Sequence, residues 1–342
     1  MDLAGKTILV TGGCGLIGST IVQRLVECEK VAEVRIIDNL SRGTLSNIDA
    51  ARRGGVVDCI PKDIRSYEEI RPHFTDVDVV FHEAAIRITA CAEDRRECQD
   101  VLVNGTYNVV EACVDAGVKR LIAASSASVY GMADAFPITE GHHLYNNKTW
   151  YGAAKMANEA LYRAFHQMTG LTYVALRYFN VYGPRMDAFG KYTEVLIRWL
   201  DCLDKGLPPK IFGDGRLTMD LVYSEDVARA NIVAAKSDVT DEVFNIGSGR
   251  ETTLRDLLML LLEITERKGI QPQYLPERTV NPVRRRLADT SKAKRMLGFE
   301  CEVDLREGLR RLVEWRKDVI RRRQRDPDDP NWERSAHPLA QT

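Results

Sequence analysis

Over its first 130 residues the chain alternates short β-branched runs with stretches of helical periodicity, and that alternation leaves few folds open. Residues 6–10, 34–37, 56–60, 77–81 and 120–124 read as strands. Between them, residues 16–27, 67–74 and 101–116 carry apolar side chains at helical spacing, and Gly117 stands where a helix would end. Parallel strands need a crossover long enough to hold a helix, so repeated strand–helix–strand units imply a parallel sheet covered on both faces. The expected class is α/β, doubly wound.

Farther along, a helix is expected over 150–168 and a strand over 172–178, after which Pro184, Pro208, Pro209 and Gly213-Asp214-Gly215 break the rhythm. Helices near 225–236, 253–267 and 304–323 and a return strand over 243–246 complete the reading. The expected division is a sheet domain over 1–180 with a return segment near 225–250, a smaller mixed α/β lobe over 181–320, and a loose tail over 321–342. With 44% hydrophobic and 28% charged residues the chain can bury a core, which excludes disorder. Its 48 basic and 49 acidic residues give a net charge of −1, so no global field draws it to nucleic acid or acidic lipid. No apolar run approaches the roughly 20 residues of a membrane-spanning helix, and the first residues lack signal-peptide features, so a cytoplasmic protein is expected. Eight cysteines without a Cys-x-x-Cys pair suit reduced thiols better than disulfides or zinc.

The first strand runs directly into Thr11-Gly12-Gly13-Cys14-Gly15-Leu16-Ile17-Gly18, which opens a helix. Glycine-rich turns also serve packing, but between a strand and a helix they let backbone N–H groups and the positive end of the helix approach a pyrophosphate. That context makes the sheet Rossmann-type. Asp38 lies 20 residues past Gly18, at the end of the second strand, where a carboxylate accepts from a ribose diol and repels a 2′-phosphate. NAD is therefore favoured over NADP, with Arg42 as the contrary sign and a plain strand-end cap as the alternative role of Asp38.

On the helix over 150–168, Tyr151 and Lys155 are four apart and share a face, so the ammonium can favour the phenolate. Tyrosine then becomes a usable base. Tyr-x-x-x-Lys alone is usually structural. Its weight here comes from Ser125-Ser126-Ala127-Ser128 at the end of the fifth strand, where ligands of doubly wound sheets bind; Ser126 or Ser128 would hold a substrate hydroxyl beside Tyr151.

In combination, Gly12-x-x-Gly15-x-x-Gly18, Asp38, Asp63-Ile64, His82-x-Ala84-Ala85, Asn104, Ser126, Tyr151-x-x-x-Lys155 and Arg177-Tyr178-Phe179-Asn180-Val181-Tyr182-Gly183-Pro184-Arg185 resemble the extended short-chain dehydrogenase/reductases, and within them the nucleotide-sugar epimerases and dehydratases. The resemblance spans about residues 5–315 and looks most like UDP-glucose/galactose 4-epimerases. It implies NAD held by Gly12, Gly15, Gly18, Asp38, Asn39, Asp63, Ile64, Arg87, Asn104, Tyr151, Lys155 and Tyr178, with Ser126, Tyr151 and Lys155 catalytic. It also implies a nucleotide sugar, a UDP-hexose by preference, held by Ser126, Ser128, Tyr151, Asn180, Arg216 and Arg278, and a homodimer formed through the helices over 101–116 and 150–168.

Within that group, 4,6-dehydratases carry an Asp-Glu pair where this chain has Ala127-Ser128, and decarboxylating relatives usually place Glu at the second position. The resemblance therefore implies 4-epimerisation through a transient 4-keto sugar, with a 4-keto-sugar reductase or a dehydratase as alternatives and a non-catalytic NAD sensor disfavoured by the intact Ser126, Tyr151 and Lys155. Met219 stands where many relatives have a diphosphate-binding Arg, leaving Arg216, Arg278 or Arg284 to replace it. Arg286 aligns near the position that limits the sugar pocket; it either meets an acidic sugar or, as is usual in a run such as Arg284-Arg285-Arg286, points to solvent, and the second is the expectation. Uronic-acid epimerases have another basic residue shortly after Gly-Pro-Arg, where here Arg185 precedes Met186-Asp187. No metal is expected: His82-Glu83 lacks the second histidine of a zinc-protease motif, and His142-His143 reads as part of a solvated loop.

Overall fold

The computed structural model describes residues 1–190, 193–277 and 283–325. Its strands are β1 (Thr7–Thr11), β2 (Glu33–Ile37), β3 (Val57–Ile60), β4 (Val79–His82), β5 (Arg120–Ser126), β6 (Tyr173–Tyr178), β7 (Asn180–Tyr182), β8 (Lys210–Phe212), β9 (Thr218–Tyr223), β10 (Glu242–Ile246), β11 (Glu251–Thr253) and β12 (Gln273–Leu275). Seven of them form one sheet in the order β10-β6-β5-β4-β1-β2-β3, and every neighbouring pair is parallel. The doubly wound, Rossmann-type sheet expected from the alternation is present.

Successive strand residues face opposite sides of the sheet, so each strand feeds two cores. Val10, Ile36, Phe81 and Ile122 face one core with Ile21, Val22 and Leu25 of the Leu16–Cys28 helix and Val227 and Ile232 of the Ser224–Lys236 helix. Leu9, Ile37, Val80 and Leu121 face the other with Val109 and Val110 of the Gly105–Asp115 helix and Tyr162 of the Trp150–Thr169 helix. Both faces being covered explains why these strands are apolar runs without alternation.

Departures from the expected elements have local causes. The helix expected over 67–74 is split into an α-helical turn, Tyr67–Ile70, and a 3-10 turn, Arg71–Phe74, where proline near the start of the second piece removes a donor. A π turn, Asp100–Asn104, precedes the Gly105–Asp115 helix. The last helix, Leu305–Arg325, runs through 321–325, where a loose tail was expected; Asp318 pairs with Arg321 and Arg323 lies 4.3 Å from the Phe189 ring centroid. The rest of that tail lies outside the described residues.

The smaller mixed part has a three-stranded sheet, β11-β9-β7, a two-stranded one, β12-β8, and a core of Trp199, Leu200, Leu258, Leu261, Leu309 and Leu312. Its three-residue strands and the Val195–Asp204 helix escaped the sequence pattern, because short strands pair through partners distant in the chain. A buried ion pair ties sheet to helix: Arg177 of β6 donates through Nε (2.9 Å) and Nη2 (2.6 Å) to Glu159 of the Trp150–Thr169 helix. Glu159→Ala leaves that guanidinium buried without its counter-ion and is expected to cost about 3–5 kcal/mol, read as a lowered urea midpoint; an unchanged midpoint would show that the pair holds nothing in place.

Candidate active site

Register decides which side chains meet. Thr11 pairs with Ile37 and His82, and Ser126 with Tyr178, so the carboxyl ends of β1, β2, β4, β5 and β6 lie along one edge of the sheet. A cavity of about 930 Å³ opens over this edge, walled by Gly12, Gly15, Gly18, Asp38, Asn39, Asp63, Ile64, Arg87, Ser126, Ser128, Tyr151, Tyr178 and Asn180 among others. Sequence reasoning singled out each of these.

Gly12 has φ +68°, and a Cβ there would lie 2.7 Å from the backbone nitrogen of Ala84. A Cβ on Gly18 would meet the Gly12 carbonyl oxygen at 2.3 Å. Only glycine lets this turn and the first turn of the Leu16–Cys28 helix close up against β4. Asp38 accepts from the backbone N–H of Cys14 (2.9 Å) and of Leu40 (2.8 Å), so it ties the glycine turn to the loop after β2. Burial raises its pKa against those two bonds. Asp63, despite its burial, is drawn down to about 2 by Arg65 and by Asn39, whose amide donates to it at 2.8 Å.

Tyr151, in the first turn of its helix, lines the cavity together with Ser126, whose hydroxyl bears on the phenol. Burial pushes the phenol up to about 12, while Ser126 and the nearby Arg286 cation pull it down. Lys155 sits behind the wall, not on it: its Nζ donates to the Ala124 carbonyl at 2.8 Å and lies 6.0 Å from the Tyr151 ring centroid. Burial lowers its pKa to about 8.

Several expected residues fall elsewhere. Asn104 is exposed and donates to Asp100 (3.0 Å), because the π turn leaves it on the outer face; Asn158 bonds across to the Leu102 carbonyl (2.9 Å) instead. Arg216 is turned to solvent by the Gly213–Gly215 turn, with Met219 on the wall. Arg284 pairs outside with Glu277 at 2.7 Å, and Arg278 lies outside the described residues. Arg286 overturns the solvent expectation, since it lines the cavity. His142 is likewise not solvated: its side chain is 5% exposed, pairs with Asp134 at 2.8 Å and packs edge-on to Tyr130. His82 ends β4 between the Thr11 (2.7 Å) and Thr106 (2.9 Å) hydroxyls, and all eight cysteines are free thiols. No described helix is long and apolar enough to cross a membrane.

Residues 8–247 match the NAD dependent epimerase/dehydratase family. The chain belongs to that family. A UDP-glucose 4-epimerase of Mycolicibacterium smegmatis is 33% identical, over 90% of this chain and 97% of its own. Among solved structures, the UDP-glucose 4-epimerase of Thermotoga maritima with UDP-glucose is 35% identical with a TM-score of 0.84, covering 92% of this chain and 99% of that one. The UDP-N-acetylglucosamine 4-epimerase of Methanobrevibacter ruminantium M1, in complex with UDP-N-acetylmuramic acid, is 32% identical with a TM-score of 0.87 over the same shares.

As in the rest of the epimerase/dehydratase family, the cofactor is NAD. The residues present fit it: a glycine turn that a Cβ would fill, the open first turn of a 13-residue helix, and a carboxylate at the end of β2.

Sequence reasoning noticed Glu83 only within a false zinc motif, yet it lines the cavity and accepts from the Tyr178 hydroxyl at 2.9 Å. Its position just past the carboxyl end of a central strand was the available signal. Burial pushes its carboxyl up to about 8, against the pull of Tyr178 and Lys155. An unfolded chain releases this proton near 4.5, so from about pH 5 to 8 the native state binds more protons and stability falls as pH rises. Lys155, lowered from 10.5 to about 8, gives the opposite slope above that window. Glu83→Gln is expected to flatten the decline between pH 5 and 8, read from urea midpoints at both ends; an unaltered decline would assign the proton to another group.

Proposed function

We propose that this enzyme is a nucleotide-sugar 4-epimerase acting on a UDP-hexose. The observation that carries the reading is the pair of hydroxyls, Ser126 and Tyr151, brought together on the cavity wall with the glycine turn, with Ala127 and Ser128 following where a dehydrating relative needs two carboxyls. The named relatives support the same choice.

Ser126 accepts from the Ser128 backbone N–H at 3.1 Å, which fixes its hydroxyl at the mouth of the 3-10 turn Ala127–Tyr130. It holds the sugar 4-hydroxyl against Tyr151. Tyr151 takes that proton and later returns it to the same oxygen, once the ring has presented the other face of its carbon. Bound NAD supplies the reversible hydride acceptor for that carbon and a positive charge beside the phenol. Lys155 adds charge from behind the wall, and Glu83, Tyr178 and Asn231 form a hydrogen-bonded chain next to it, Asn231 donating to the Tyr178 oxygen at 2.8 Å. Asn180, anchored by its bond to the Asp220 carbonyl (3.1 Å), and the Arg42, Arg87 and Arg185 cations serve the diphosphate. The 4-keto sugar turns about that anchored end, and no redox equivalent is consumed.

The deciding experiment incubates the protein with NAD and a panel of nucleotide sugars, without reductant, and follows products by proton NMR. A C4 epimer is expected; loss of water, or a requirement for added reduced cofactor, would move the chain to a dehydratase or reductase. Tyr151→Phe is expected to keep NAD and UDP binding while turnover falls roughly 10²- to 10⁴-fold, the span typical of a lost general base. Full activity would remove Tyr151 from the proton path. A homodimer through the Gly105–Asp115 and Trp150–Thr169 helices belongs to the same reading, since Tyr107 and Met168 on them are 42% and 84% exposed; a monomer by light scattering at two concentrations would contradict it.

A further inference from the structure

Arg286, on the cavity wall, has no counter-ion among the described residues. Arg284, Arg285 and Arg286 lie on a segment stitched down at both ends: the Thr218 N–H donates to the Arg284 carbonyl (3.0 Å), the Ile138 N–H to the Leu287 carbonyl (2.8 Å), and the Ala288 N–H to Asp220 (3.0 Å). Arg285 goes outward, to Glu251 at 2.7 Å. Arg286 goes inward, onto the cavity wall, where no described residue makes an ion pair or hydrogen bond with it and Tyr151 is the ionisable group that bears on it. Arg87, by contrast, pairs with Glu194, Arg42 has Asp187 and Asp38 nearby, and Arg185 has Glu27 and Glu225.

A guanidinium drawn out of water without a partner is unfavourable, and the fold has spent a pinned segment on placing one here. We propose that Arg286 is an anion subsite for the sugar, and that the hexose this enzyme acts on carries a carboxylate. The inference rests on the 4-epimerase reading and names its substrate class. The anion is assigned to the sugar and not to the diphosphate because of where Arg286 sits. It shares a small cleft with Ser128 and Thr149, at the start of the Tyr151 helix, whereas Arg42 and Arg87, on which Tyr151 also bears, share their surroundings with Asp187. A planar guanidinium can grip a carboxylate with two parallel bonds, which also sets the ring's orientation beside Tyr151.

The test measures binding of UDP, UDP-glucose and UDP-glucuronate to the NAD-loaded full chain by calorimetry, for the wild type, Arg286→Ser and Arg286→Lys. The wild type is expected to bind UDP-glucuronate at least about tenfold more tightly than UDP-glucose. Arg286→Ser should erase that preference while changing UDP affinity less than about twofold, and Arg286→Lys should keep part of it. Equal loss for all three ligands in the serine variant would give Arg286 to the diphosphate and overturn the proposal. So would a wild type without preference, a result that needs no folded variant. Proton NMR on the same mixtures separates the two readings: a carboxylate preference without any C4 epimer removes the reaction and keeps the subsite, and epimerisation confined to neutral hexoses does the reverse.

Discussion

The site depends on one buried ion pair. Glu159 and Arg177 hold each other through two hydrogen bonds, and each also grips the machinery around them. Glu159 accepts from Ser125 (2.5 Å), the neighbour of Ser126. Arg177 donates to the Tyr130 hydroxyl (2.8 Å), which closes the serine turn and itself donates to Asn245 of β10 (2.6 Å). The helix bearing Tyr151, the strand ending in Ser126 and the sheet's far edge are thus fixed relative to one another by a single network. Such a pair gains little net stability over an apolar replacement, because both ions lose their water. Its worth lies in position, since proton transfer needs the two hydroxyls within hydrogen-bond reach.

Around that frame the cavity sorts its charges. Asp38 and Asp63 line the part next to the glycine turn, Arg42 and Arg87 the part near Asp187, and Arg286 the part next to Tyr151 and Ser128. Glu83 is on the wall and Lys155 close behind it, and burial displaces each toward its neutral form. In water these groups would be unremarkable acids and bases. Enclosed together, they make the site responsive to charge brought in by whatever fills it.

Much of this was legible beforehand because it depends on local rules. A glycine turn between strand and helix, an acid at the next strand end, and Tyr-x-x-x-Lys after a serine turn all follow from spacing and from where ligands sit in doubly wound sheets. Errors arose where long-range contacts decide. Asn104 was expected at the site, but a π turn rotates it outward and Asn158, from another helix, takes the internal bond. Arg216 looked available and is held away by its own turn. Lys155 does lie over the Tyr151 ring, 6.0 Å from its centroid, but the strand carbonyl that anchors it was not legible locally.

Hydrophobic period, glycine placement and helical spacing are properties of neighbours in the chain, so the parallel sheet, the glycine turn and the placing of Ser126 and Tyr151 on one wall could be read from short windows. Tertiary structure alone decided which charges enter the cavity. In Arg284-Arg285-Arg286 nothing local distinguishes the three; Glu277 and Glu251 claim the first two, and the bonds to Thr218, Ile138 and Asp220 turn the third inward. That choice depends on segments far apart in the chain meeting at one wall, which no window of sequence contains.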